Sequence, residues 1–257
     1  MLAVTKVAKE HSDRLEAFTL PKENVLALPS KTSTAIRNKY FTADKERREC
    51  VCISQGSQFK AEEIPIDIDA QIYHVAGLIY GDYEDGIIEK LSKRGMVAVD
   101  VQGYLRHADK KTGNMYFEDW ADKKNELPYI TFLKTDAAEA EILTGLSDRT
   151  AAAKLLYSWG AKEIMITHNT EVLIYDGEKI HTCPIRSRNL SGRTGRGDTT
   201  FAAYITERLS SQIEQALLYA TATVSLKMET VGVFKGNRKD VNEYIKLLYP
   251  EYLYLVK

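Results

Sequence analysis

The sequence predicts an α/β protein with a mostly parallel sheet covered by helices on both faces, and a small β-rich flap set apart from it. Three observations carry this. From Ile72 onward, short apolar runs of strand length alternate with stretches of helical spacing. Such runs belong to strands buried on both faces. Residues 25–54 instead alternate β-branched or aromatic residues with charged ones, as a half-solvated sheet does. No stretch rich in Gly, Pro or Ser divides the 257 residues, so one domain spanning 1–257 is expected, with 25–54 as a β subdomain.

The elements follow in order. In the flap, Thr32, Thr34, Ile36, Tyr40 and Phe41 are strand formers, and a polar turn at 43–46 precedes Val51, Cys52 and Ile53. Residues 72–79 read as a strand, 85–93 as a helix stopped by Gly95, and 96–101 as a second strand. Residues 129–133 read as a strand, 137–143 as a helix ended by Gly145, and 150–159 as a helix ended by Gly160. A strand at 163–167 precedes two more, 172–175 and 179–184, which flank the hairpin turn Asp176-Gly177. Phe201, Ile205 and Leu209 recur at helical spacing, as do Ile213, Leu217, Ala220 and Val224.

Hydrophobic residues make up 44% and charged residues 28%, with a net charge of -1. That balance argues against a nucleic-acid partner. No apolar run reaches the length of a membrane span, so no membrane partner is expected. Cys50, Cys52 and Cys183 have no metal or disulfide-framework spacing and read as reduced thiols. With no signal-peptide pattern at Met1–Val7, a cytoplasmic location is the expectation.

The sharpest motif is Gly192-Arg193-Thr194-Gly195-Arg196-Gly197-Asp198-Thr199-Thr200, running into a helix expected to start near Phe201. Glycines before a helix let backbone N–H groups approach an anion. A carboxylate inside such a cradle repels the ligand and needs another task, such as taking a proton from an attacking hydroxyl. Taken alone, the pattern leaves simple helix capping by Asp198 ahead. A second segment, 134–145, follows a strand end, where α/β proteins keep their ligand sites. Asp136 and Glu139 lie one helical turn apart and could both face Mg²⁺ and its waters, or form a capping box, or do both. A third segment, Asp100 to Arg106, also follows a strand. Arg106 could contact a phosphate with Asp100 or Gln102 orienting it, or the segment is a solvated turn.

These three segments, in this order and spacing, resemble the PfkB/ribokinase family of carbohydrate kinases, whose C-terminal signature is D-T-x-G-A-G-D. The resemblance implies a ribokinase-like three-layer α/β/α fold and an ATP- and Mg²⁺-dependent kinase acting on a hydroxyl of a sugar, polyol or nucleoside. It implies Asp198 as the base, with Gly195, Arg196 and Gly197 in the anion hole for the migrating phosphoryl group. Gly192, Arg193, Thr194, Asp100 and Arg106 fall on the donor side. Asp136 and Glu139 match N-x-x-E, tied to Mg²⁺. Thr167 falls on a T-x-G segment at the nucleotide, and residues 221–234 resemble the helix and loop near the adenine. Residues 25–54 match the β-lid, which closes over the substrate or pairs two chains into a homodimer.

There are departures from the family pattern. Gly192 replaces the signature's first Asp, Arg196 a small residue, and Asp136 an Asn. Residues 167–171 lack the usual glycines. Val4–Val7 resembles the strand that follows the family's substrate-binding Asp and glycine pair, so an edge of the acceptor pocket is expected to be missing. The alternative function is a catalytically silent nucleotide- or sugar-binding protein of the same fold. The five histidines show no metal spacing, and no G-x-x-x-x-G-K-[ST] occurs, which argues against a P-loop kinase.

Overall fold

The computed structural model describes residues 1–41, 48–66, 68, 70–192 and 194–256. Strands β1 (Ala3–Val7) and β2 (Val25–Pro29) pair in parallel, and β3 (Ala35–Tyr40) and β4 (Arg48–Ser54) pair antiparallel. Then come β5 (Ile72–Val75), α1 (Ile87–Ser92), β6 (Met96–Asp100) and the short α2 (Gln102–Leu105). A second small hairpin, β7 (Arg106–Ala108) and β8 (Met115–Phe117), is followed by α3 (Lys123–Glu126), β9 (Phe132–Asp136), α4 (Ala137–Thr144) and α5 (Arg149–Ser158). The chain ends with β10 (Glu163–Thr167), β11 (Glu171–Tyr175), β12 (Ile180–Pro184), α6 (Arg196–Glu207), α7 (Ile213–Met228) and α8 (Arg238–Leu248).

Among the described residues the main sheet has the order β12-β11-β10-β9-β6-β5. β5, β6, β9 and β10 are parallel, and β11 and β12 complete one edge antiparallel. The strands alternate buried residues to the two faces. Val97, Val99, Leu133, Ile164 and Ile166 pack with Ile88 of α1, Leu143 of α4 and Leu156 of α5. Ala98, Phe132, Met165 and Ile174 pack with Phe201 and Tyr204 of α6, Leu217 of α7 and Ile245 of α8. Two helical layers therefore enclose one sheet, the ribokinase-like three-layer architecture that the family resemblance implies.

The 25–54 stretch divides. Val25–Pro29 pairs with β1, and only β3 and β4 form the antiparallel flap. The flap is joined to the β7–β8 hairpin: the Cys52 N–H donates to the Gly113 carbonyl at 2.8 Å, and Val51 bridges Asn114. The polar turn expected at 43–46 lies outside the described residues.

Candidate active site

The C-terminal ends of β6, β9 and β10 point to one side of the sheet, the side on which open α/β folds hold ligands. A cavity of about 510 Å³ opens there. Its floor carries Asp100, Lys134, Asp136, Glu139 and Thr167, and one wall carries Thr194, Gly195, Arg196, Gly197 and Asp198. The opposite side carries Asn38 of β3, Leu78, Gln102, Arg106 and Phe117 of β8. All the expected residues meet here except two. Gly192 is buried away from the wall, and Arg193 lies outside the described residues.

Helix α6 starts at Arg196, not near Phe201. Gly195, at φ 81°, occupies the cap position, with no side-chain cap bond. Asp198 therefore stands inside the first turn, facing the cavity, and does not act as the cap. The helix supplies no acceptor for the N–H groups of Gly197 and Asp198, and its dipole adds partial positive charge there. A Cβ on Gly197 would stand 3.0 Å from Lys134 Nζ, so glycine lets the helix approach that amine.

Lys134 is the central residue that the motifs passed over. It is buried near the end of β9, with Nζ 3.1 Å from Asp100 Oδ1, 3.0 Å from Asp100 Oδ2 and 3.7 Å from Glu139 Oε2. Burial alone would depress its amine; Asp100 and then Glu139 more than reverse this and hold it above the ordinary range. A signal was present in the sequence, since a lysine in a buried strand needs an anion, and Asp100 ends the neighbouring strand.

Asp136 and Glu139 do form the capping box. Asp136 Oδ1 accepts from the Glu139 N–H, and Glu139 Oε2 from the Asp136 N–H, both at 2.8 Å. Burial pushes Glu139 up to about 7 against the pull of Lys134, with Asp136 and Asp100 adding to the rise. Among the described residues no cluster of three or more His, Cys, Asp or Glu is placed to hold a metal. That donor set still fits Mg²⁺, which needs only one or two carboxylates when waters and substrate phosphates complete its shell.

Arg106 is buried, donates to Gln102 Oε1, and lies 5.7 Å from the Phe117 ring centroid. Arg196 Nη1 donates to Asn169 Oδ1 at 2.8 Å, tying α6 to the segment after β10. His168 and Asn169 also line the cavity.

Residues 69–239 match the pfkB family carbohydrate kinase domain. The chain belongs to the pfkB family of carbohydrate kinases. A solved relative is a pyrophosphate-dependent kinase of the ribokinase family. Its sulfate complex is 31% identical, with 94% of this chain and 85% of that chain covered at a TM-score of 0.82. A pyrophosphate-dependent kinase of the ribokinase family complexed with a pyrophosphate analog and myo-inositol is 30% identical, with 94% of this chain and 84% of that chain covered at a TM-score of 0.81. Arabidopsis thaliana ribokinase, complexed with ribose and ATP, shares the fold at 18% identity, with 95% and 81% covered and a TM-score of 0.72. The cytidine kinase of Thermococcus kodakarensis is 27% identical over 163 residues, 60% of this chain. The chain spans 54% of the length of that curated relative. No described helix is long and apolar enough to cross a membrane.

Proposed function

We propose that this pfkB-family chain transfers a phosphoryl group from pyrophosphate to a hydroxyl of a compact polyol of inositol size, with Asp198 as the base. One observation carries the reading. Asp198 lines the same cavity as the Lys134–carboxylate floor and glycine turn on one side, and as Asn38, Gln102, Arg106 and Phe117 on the other. A hydroxyl held by the second group would lose its proton to Asp198 as its oxygen attacks phosphorus. The P–O bond to the leaving phosphate breaks, giving a phosphomonoester and orthophosphate. Lys134, Arg196 and the N–H groups of Gly197 and Asp198 oppose the charge spread over the migrating group. Asp136 and Glu139 would hold Mg²⁺, which when bound neutralises donor charge.

The choice of pyrophosphate over ATP rests on the donor wall and on the relatives. No described residue of 221–234, where an adenine was expected, lines the cavity. The wall there is polar, built from Thr167, His168, Asn169 and Arg196. The pyrophosphate-dependent kinases are also 31% and 30% identical to this chain, against 18% for the ribokinase complexed with ATP.

The test is phosphorus NMR of product formation from a panel of polyols, sugars and nucleosides, with Mg²⁺ and either pyrophosphate or ATP. Product with pyrophosphate alone is expected; product only with ATP would reassign the donor. Asp198→Asn is expected to lower kcat by about two to four decades with donor affinity little changed. Near-normal turnover would remove Asp198 from the role of base. Absence of product with every acceptor and donor would favour a silent binding protein.

A further inference from the structure

Lys227 lies in the last turn of α7, outside the cavity lining, and is 2% exposed. Its Nζ donates to the carbonyls of Gly192 and Thr194, in the segment that leads into α6. That segment is also locked to the end of α7. The Gly192 N–H donates to the Met228 carbonyl at 2.7 Å, and a Cβ on Gly192 would fall 1.6 Å from the Thr230 carbonyl oxygen. A lysine on a buried helix is unfavourable unless its charge is put to use.

An ammonium is a compact unit charge with three donors. Backbone carbonyls converging on it make the kind of oxygen site that also suits a free monovalent cation. The orientation has a consequence for the neighbouring peptide. In a planar trans peptide the C=O and the following N–H point in opposite directions. With the Thr194 carbonyl turned to Lys227, the Gly195 N–H is turned away from it, and Gly195 lines the cavity. The positions are close enough to matter: Lys227 Nζ and Asp198 Oδ2 each stand 3.9 Å from where a Cβ on Gly195 would be.

We infer that Lys227 is a tethered monovalent cation. It is a positioning residue that touches neither donor nor acceptor and holds the turn before α6 so that the Gly195 N–H faces the phosphoryl group. It also makes the enzyme indifferent to free potassium or ammonium. Removing the side chain leaves a carbonyl site that a free ion can fill, a response that a purely structural lysine would not give.

The experiment compares wild type with Lys227→Met in choline, sodium, potassium and ammonium chlorides at constant ionic strength. Turnover follows the proposed kinase reaction, on which this inference rests for that readout alone. Calorimetric binding of inorganic pyrophosphate is the second readout. Wild type is expected to behave alike in choline and potassium. Lys227→Met is expected to lose at least about tenfold in both readouts in choline, and to recover with potassium or ammonium. Lys227→Gln covers the case in which the methionine variant does not fold, and the same rescue is expected of it. Wild-type dependence on potassium, full function of the variant in choline, or a loss that no cation restores at unchanged Tm would each overturn the inference. Cation-rescued pyrophosphate binding without any turnover in wild type would keep it and sink the kinase reading.

Discussion

Lys134 and Glu139 form the most strongly perturbed pair in the site, and each supports a prediction at its own position. Lys134→Met keeps the volume but leaves Asp100 and Glu139 as buried carboxylates with no facing amine. Loss of about 3–5 kcal/mol of stability is expected, read as a lower urea midpoint, together with loss of turnover. An unchanged midpoint would mean that the amine is not the counter-charge of this floor. For Glu139 the sign follows from its raised pKa. Between the ordinary 4.5 and about 7 the folded protein keeps a proton that the unfolded chain has released. Stability from this group is therefore full below that window and falls as pH rises through it. Mg²⁺ needs the ionised carboxylate, so kcat/KM is expected to rise with pH through about 7. Glu139→Gln keeps much of the capping geometry and removes both dependences. If its urea midpoints and pH–rate profile follow those of wild type, the capping box is its whole role.

At the scale of elements, the sequence pattern located most strands and helices, and the failures have physical causes. Glu163–Thr167 forms the strand its apolar run predicts, and the Asp176-Gly177 turn does join two antiparallel strands. The run at 129–133 was displaced. Residues Leu127–Tyr129 form a tight turn containing Pro128, and the strand runs on through Lys134 and Thr135 to Asp136. Polar residues in a buried strand hide it from a pattern search, and only tertiary pairing with Asp100 makes Lys134 tolerable there. The start of α6 was missed because two glycines in a row of five residues read as loop. Gly195 at positive φ caps the helix, and Gly197 continues it where a side chain would meet Lys134. Within the cavity, the glycine motif, Asp100, Arg106, Asp136, Glu139 and Thr167 were legible because they sit at strand ends and helix starts. Asn38, Leu78 and Phe117 come from loops and small hairpins brought over the site by folding, and no local pattern announces them.

For the whole molecule, the side of the cavity proposed to take the acceptor is lined from two hairpins that are distant in sequence and joined to each other. β3 supplies Asn38 to the cavity and β8 supplies Phe117. The link between their hairpins is the Cys52–Gly113 hydrogen bond beside the Val51–Asn114 bridge. A small sheet of this kind is marginal alone, and Ile53, Tyr116 and Phe117 are about half exposed. We therefore expect amides of 35–41, 48–54 and 106–117 to exchange readily in the free protein. Acceptor and pyrophosphate together should protect both hairpins at once, either by closure or by pairing with a second chain. Gly113 is the point at which to break the coupling. Its φ is +73°, and a Cβ there would stand 2.5 Å from the Cys52 carbonyl oxygen. Gly113→Ala should separate the two protection patterns, raise the acceptor KM, and increase the fraction of pyrophosphate lost to water, because an open kinase site lets water compete with the acceptor. Uniform protection of these segments in a monomer, unmoved by ligands and by Gly113→Ala, would show instead that the hairpins belong to the rigid body of the fold.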